Sequence, residues 1–237
     1  MWLSNLSLVL PDRVISNGAL RIDGDRIAEV REAPVDHGID CGGALVAPGF
    51  IDILASIGRN REAHTFKIGD GVTTVLGMHG GPLDVERYVE EHTAVGPLAN
   101  YAATVSHAGL REAVGATDRY APATPEQIEA MRPLAVRAIR DGAVGIGFGV
   151  NYTPGASYEE IFALFEVAAA EGVPCHLHAR YKGNVFPLTM SLAAMEVVAI
   201  AAATCPPPIS STWGIGSITS IAIVTWPPHR LSSATTS

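Results

Sequence analysis

Five apolar runs of β type set the rhythm of this chain: Val46–Leu54, Val72–Gly77, Tyr101–Val105, Val144–Phe148 and Val173–His178. Helical patterns lie between them, at Asp84–Thr93, Thr124–Asp141 and Ser157–Gly172. Strand and helix alternating at this spacing imply βαβ units, a parallel sheet and right-handed crossovers. The helix ends carry their own punctuation. Thr124 stands at a cap position with Pro125 behind it and Gly142 past the far end, the residues that favour helix entry and exit. Ser157–Gly172 repeats the design, with Glu159 and Glu160 in a first turn where negative charge complements the helix dipole.

Periodicity leaves two architectures open, a five-strand doubly wound sheet and the first part of a (β/α)8 barrel. A complete barrel needs about 250 residues, and roughly 190 of the 237 follow the N-terminal region, so a barrel here is an incomplete one. That N-terminal region, residues 1–47, reads as short strands. Leu20-Arg21-Ile22 and Ile27–Val30 alternate around Asp23-Gly24, a hairpin signal. Residues 48–203 hold the strand–helix repeats and 204–237 form a third, atypical segment.

The apolar stretch Leu188–Ala203 is interrupted by Ser191 and Glu196 and stopped by Pro206–Pro208. A membrane span needs about 20 apolar residues, and a central acid costs about 2.5–3.5 kcal/mol. A buried helix is therefore expected. From Val197 to Ser237 the only formal charge is Arg230, whereas the first 196 residues hold all 24 acids and 15 of the 16 bases. A low-complexity extension and a reading-frame shift near Ala203 both account for this change of composition.

A formal charge of −8 argues against nucleic acid or an anionic membrane as the main partner. Cys41, Cys175 and Cys205 are too few and too scattered for a disulfide scaffold or a zinc ribbon. The opening MWLSNLSLVLPD lacks a basic lead and breaks at Pro11, making a poor signal peptide. A soluble cytoplasmic protein is expected.

Histidines carry the chemistry. His176 and His178 close the Val173–His178 run, and side chains at i and i+2 of a strand share a face. At the carboxyl end of a parallel strand such groups are placed as metal ligands; the alternative is a hydrogen-bonded pair in a polar sheet edge. His79 follows Val72–Gly77 at a Met78-His79-Gly80-Gly81 turn, and His107 follows Tyr101–Val105. Imidazole clusters suit zinc or similar divalent ions, which polarise a carbonyl and activate water for amide hydrolysis. His37, His64, His92 and His229 read as structural. Gly145-Ile-Gly-Phe-Gly149 lacks a phosphate-binding pattern, no Gly-x-Ser-x-Gly elbow occurs, and Cys175 reads as packing.

Ala47-Pro-Gly-Phe-Ile-Asp52, Gly71-Val-Thr-Thr-Val-Leu-Gly-Met-His-Gly80, Ser106-His-Ala-Gly-Leu-Arg111, Ala123–Met131, Gly142-Ala-Val-Gly145 and Tyr152-Thr-Pro-Gly155 occur in that order. Together, over about residues 17–203, they resemble the N-acyl-D-amino-acid deacylases of the amidohydrolase superfamily. The resemblance implies an α/β protein: part of a small β-sandwich followed by an incomplete metal-dependent (β/α)8 (TIM) barrel. It implies Zn2+ or another divalent metal, a small-molecule N-acyl amino acid substrate, and metal-activated water attacking the amide carbonyl. By position His178 resembles the histidine ligand on the fifth barrel strand. His79 stands where the deacylases have a cysteine ligand, and the remaining ligand set is His79, His178 and His176. Tyr152 and Arg180 would line the substrate mouth, and His107 is structural or lines the site.

The departures are Leu54-Ala55-Ser56, where the family carries His-x-His, and Cys205–Ser211, where a sixth-strand histidine is due. The general-base aspartate of the last barrel strand would lie beyond residue 237. Alternative readings are a catalytically inactive, truncated or divergent homologue and a cyclic-amide hydrolase of dihydroorotase type. Exposed barrel edges would favour self-association.

Overall fold

The computed structural model describes residues 1–55, 57–78, 80–180 and 192–204, and the backbone of residues 187–191, 212–216 and 220–224. The chain divides into two compact units, Met1–Phe50 and Ile51–Ser237.

The first unit is a single sheet. Strands β1 (Trp2–Val9), β2 (Val14–Asp23), β3 (Arg26–Arg31) and β4 (Ile39–Asp40) lie in the order β3-β2-β1-β4, and β5 (Leu45–Val46) also pairs with β1. The expected hairpin joins β2 to β3, with Asp23 opposite Arg26 and Gly24 at φ +59°. Only glycine takes that left-handed conformation without strain. Leu6, Leu8, Ile15 and Leu20 form its core, with Leu3, Leu10, Ile22, Cys41 and Val46 packed alongside.

The second unit continues β6 (Phe50–Asp52), α1 (Arg61–Gly69), β7 (Val72–Gly77), α2 (Val85–Ala94), β8 (Asn100–Ala103), β9 (Val105–Ser106), α3 (His107–Ala113) and α4 (Pro125–Arg140). It then runs through β10 (Ile146–Gly149), α5 (Tyr158–Glu171), β11 (Cys175–His178), α6 (Pro187–Thr204), β12 (Thr212–Gly216) and β13 (Ser220–Val224). The expected strand Val46–Leu54 is split. Val46 ends in the first sheet and Phe50–Asp52 opens the second, with Pro48, which cannot donate to a ladder, in the gap.

Up to β11, consecutive strands within each sheet are neighbours. One sheet is β6-β7-β8 and the other β9-β10-β11-β13-β12. Only Thr104 separates β8 from β9: its amide donates to Gly77 O, while Val144 N and Val105 N donate to Ala103 O and Gly145 O on either side of it. The β7–β8, β9–β10 and β10–β11 pairs are parallel. From β6 to β11 the order never reverses, unlike a doubly wound sheet, which has a switch point.

Helix ends follow their caps. Thr124 Oγ1 accepts from Gln127 N and the Gln127 side chain accepts from Thr124 N, a complete capping box, and Pro125 is the first helical residue. Ser157 caps α5, and Gly172 ends it in the left-handed conformation. Buried residues of α4 and α5, including Met131, Ala135, Ile161 and Leu164, pack on Val105, Ile146, Phe148, Cys175 and Leu177. The apolar stretch at Leu188–Ala203 is helical as expected, within α6. Val197 and Ile200 are buried, while Leu192, Met195 and Val198 face outward. Among the described residues no helix is long and apolar enough to cross a membrane.

The described part of the tail is paired. Strands β12 and β13 form an antiparallel hairpin whose β13 pairs antiparallel with β11. Thr212, Ile215, Ile221, Ile223 and Val224 are β-formers, and the edge of β11 supplies the hydrogen-bonding partner that composition could not reveal.

Candidate functional site

The two faces of β10 and β11 differ in kind. On one, Ile146 pairs with Cys175 and Phe148 with Leu177, and all four belong to the core shared with α4 and α5. Side chains alternate across a strand, so the other face carries Gly147 beside His176 and Gly149 beside His178. Ser106 of β9 is in register with Gly147 on that face. Two imidazoles, 1% and 4% exposed, therefore stand one above the other, with glycine beside each on the adjacent strand.

The loop after β10 closes over His178. Tyr152 N and Thr153 N both donate to Gly149 O, and Asn151 N donates to His178 O. The Tyr152 ring meets the His178 ring edge-on, with centroids 5.2 Å apart and planes at 85°. Tyr152 is itself 57% exposed, so one edge serves the histidine and the rest faces outward. Gly155 ends this loop against Tyr120, where an added Cβ would lie 2.3 Å from the Tyr120 carbonyl carbon.

Arg180 is brought near but faces elsewhere. Its Nη1 donates to Pro154 O at 3.1 Å, and its Nη2 donates to Ala156 O at 2.9 Å and Glu196 Oε1 at 2.7 Å. His79 lies outside the described residues. Thr104 Oγ1 donates to the carbonyls of Gly77 and Met78, at 3.2 and 2.9 Å. On the far side of the turn Gly81 sits so close to Thr104 O that any Cβ would collide. Thr104 thus ties down the end of β7, a contact that sequence reasoning missed; its only signal was a hydroxyl inside an apolar run.

The exit of β6 is different. Leu54 bridges to Gly77 and Ala55 N donates to Leu76 O, and neither side chain can bind a metal. Asp52 is occupied by Lys67 Nζ at 2.5 Å, whose hydrogen bond holds the carboxyl below its ordinary range.

His107 belongs to the helix side. Its Nε2 donates to Glu160 Oε1 at 2.6 Å, and its ring lies 5.2 Å from that of Phe148. Arg111 Nη1 sits 2.6 and 2.7 Å from the two Glu160 oxygens, and its Nη2 donates to Asp118 O and Ala121 O. Burial would raise the Glu160 carboxyl; the hydrogen bonds and charges of His107 and Arg111 outweigh it and hold the group at about 2. Of the two acids expected to serve the helix dipole, Glu159 is exposed at the helix start while Glu160 is the buried centre of this network. His64 and His92 are structural: His64 Nε2 donates to Gly58 O, and His92 Nδ1 donates to Tyr88 O beneath a stacked Tyr101.

Among the described residues no three His, Cys, Asp or Glu side chains gather as a metal cluster. The placed donors are the imidazoles of His176 and His178. A catalytic zinc takes three protein ligands and an open position, so these two need one more.

No family model matches the sequence. The chain is 32% identical over 211 residues to the N-acyl-D-glutamate deacylase of Alcaligenes xylosoxydans xylosoxydans, covering 76% of this chain and 42% of that protein. It is 34% identical over 198 residues to the D-aminoacylase of the same organism, covering 70% and 41%. The solved N-acyl-D-glutamate deacylase from Bordetella bronchiseptica was complexed with zinc and a phosphonate mimic of the tetrahedral intermediate. It superposes with a TM-score of 0.73 at 27% identity, over 86% of this chain and 49% of that one. The chain is thus similar in sequence and in mixed α/β fold to the D-aminoacylase group of amidohydrolases, as its motifs implied. It spans about two fifths of the length of these curated relatives.

Proposed function

We propose that this chain is a metal-dependent amidohydrolase of the N-acyl-D-amino-acid deacylase type, acting in the cytoplasm on carbon–nitrogen amide bonds of small N-acyl amino acids. One observation carries the reading: His176 and His178 are buried on one face at the carboxyl end of the last in a series of consecutive parallel strands. In this reading β6, β7, β8 with β9, β10 and β11 are the first five strands of a (β/α)8 barrel. The unreversed strand order supports it, as does the position of the histidines at the end where barrel sites are built. The sheet of residues 1–50 is then part of a β-sandwich.

His176, His178 and His79 would hold a divalent ion, with Zn2+ matching three imidazoles. When bound, the ion polarises the amide carbonyl and makes its water acidic enough to attack. The chain's own residues supply the setting. Gly147 and Gly149 add no side chains beside the histidines, Thr104 holds the carbonyl of Met78, and Tyr152 fixes the His178 ring while presenting its outer edge to substrate.

Elemental analysis of the purified chain tests this. About one divalent ion per chain is expected, falling to trace levels in His178→Ala, with release of free D-amino acid from N-acyl-D-amino acids abolished by a chelator. Equal metal content in the two proteins would overturn the site. A second reading, a non-catalytic relative, is favoured by the apolar Leu54 and Ala55 at the first strand exit, where the resemblance implies two histidines. Chelator-sensitive turnover of any N-acyl amino acid would exclude it.

A further inference from the structure

We propose that Arg180 and Glu196 form a clamp that positions Tyr152 against the His178 imidazole, a role that rests on reading His178 as a metal ligand. Glu196 is the only charged residue among the 18 of α6. A carboxylate on an apolar helix is costly unless it is paired, and Glu196 is: the two side chains are 13% and 11% exposed and meet at 2.7 Å. The guanidinium that the resemblance offers to a substrate carboxylate already faces a carboxylate of the chain.

Its remaining donors reach further. The carbonyls of Pro154 and Ala156 flank Gly155, whose own amide donates to Arg119 O. The front of the same loop is tied to Gly149 O and to His178 O. Tyr152 lies between these two anchorages, which fix the backbone from which its ring reaches His178. The front anchorage consists of backbone bonds at the strand end. The rear one combines the Gly155–Arg119 backbone bond with two bonds from Arg180, and Glu196 holds Arg180, while Tyr158 Oη donates to the Glu196 carbonyl and ties the start of α5 to the same turn of α6. A planar fork of donors can serve one carboxylate and two carbonyls together; a lysine ammonium, a compact point charge, cannot hold all three in that plane. Partners of this kind around a ligating histidine fix its ring orientation.

The test uses the full chain and two substitutions. Arg180→Lys keeps the charge opposite Glu196 but loses the fork; Glu196→Gln removes the charge and keeps the shape. The imidazole proton resonance of His178, assigned by its loss in His178→Ala, reports the neighbouring Tyr152 ring, and Tyr152→Leu gives its position without that ring. Both clamp variants are expected to move the resonance toward the Tyr152→Leu position and to weaken cobalt(II) binding about tenfold, the lower end for such partners. A lower unfolding temperature with the resonance and cobalt affinity unchanged would overturn the proposal, leaving the pair a stabilising contact only. If the unmodified chain takes up no cobalt, the metal reading fails, and the resonance still decides whether the clamp positions the ring.

Discussion

His107 and His178 each close an apolar strand of the parallel series, and in the sequence the two look alike. Their surroundings separate them. His107 begins α3 and turns to the helix side, where Glu160 and Arg111 take it into a closed ion-pair network beside Phe148. His178 ends β11 on the opposite face, beside Gly149 and under the edge of Tyr152. A histidine whose neighbours are a carboxylate and a guanidinium is held for stability. His178 has a glycine as its strand neighbour, which adds no side chain beside the imidazole.

Substitutions can drive this contrast apart. The largest effect is expected for Glu160→Ala, which leaves Arg111 buried without its partner and should cost about 3–5 kcal/mol in denaturant unfolding. His178→Ala should cost far less stability while removing metal; equal losses in the two variants would erase the distinction. Acid should expose the same asymmetry. Glu160 titrates at about 2 when folded, against 4.5 ordinarily. Its contribution is therefore complete above 4.5 and is lost as pH falls through about 2. The lost stability amounts to about 3 kcal/mol. Glu160→Gln should flatten this acid limb, and a wild-type slope retained in the variant would place the acid sensitivity elsewhere. The smallest effect, about 1 kcal/mol, is expected for Thr124→Ala, which removes one cap from α4 and touches neither histidine. An unchanged melting temperature would show that Pro125 and Gln127 suffice to start that helix.

Much of the fold could be read before any contact was known. The strand Val72–Gly77 has the expected bounds, and α4 and α5 begin after the expected Thr124 and Ser157 caps. The expected strand Val46–Leu54 reads as one run because its residues are mostly apolar, and Pro48 and Gly49 mark the break. The hairpin of β12 and β13 was invisible because its strands exist through pairing with β11. Around the candidate site, the histidine pair was legible from its spacing of two. Thr104 and Glu160 were not, since a hydroxyl in an apolar run and an acid in a first turn have commoner explanations.

The division follows the range of the forces involved. Periodicity, caps and turn glycines act between residues within a few positions of each other, so the order of residues determines them directly. Which face of β11 meets the helices, and which lies beside glycine, is decided by crossovers that bring distant segments into register. Glu160 and Arg111 are 49 positions apart, and Arg180 and Glu196 are 16 apart. Such partners are chosen by packing, because a buried charge is tolerated only where the folded chain supplies its complement.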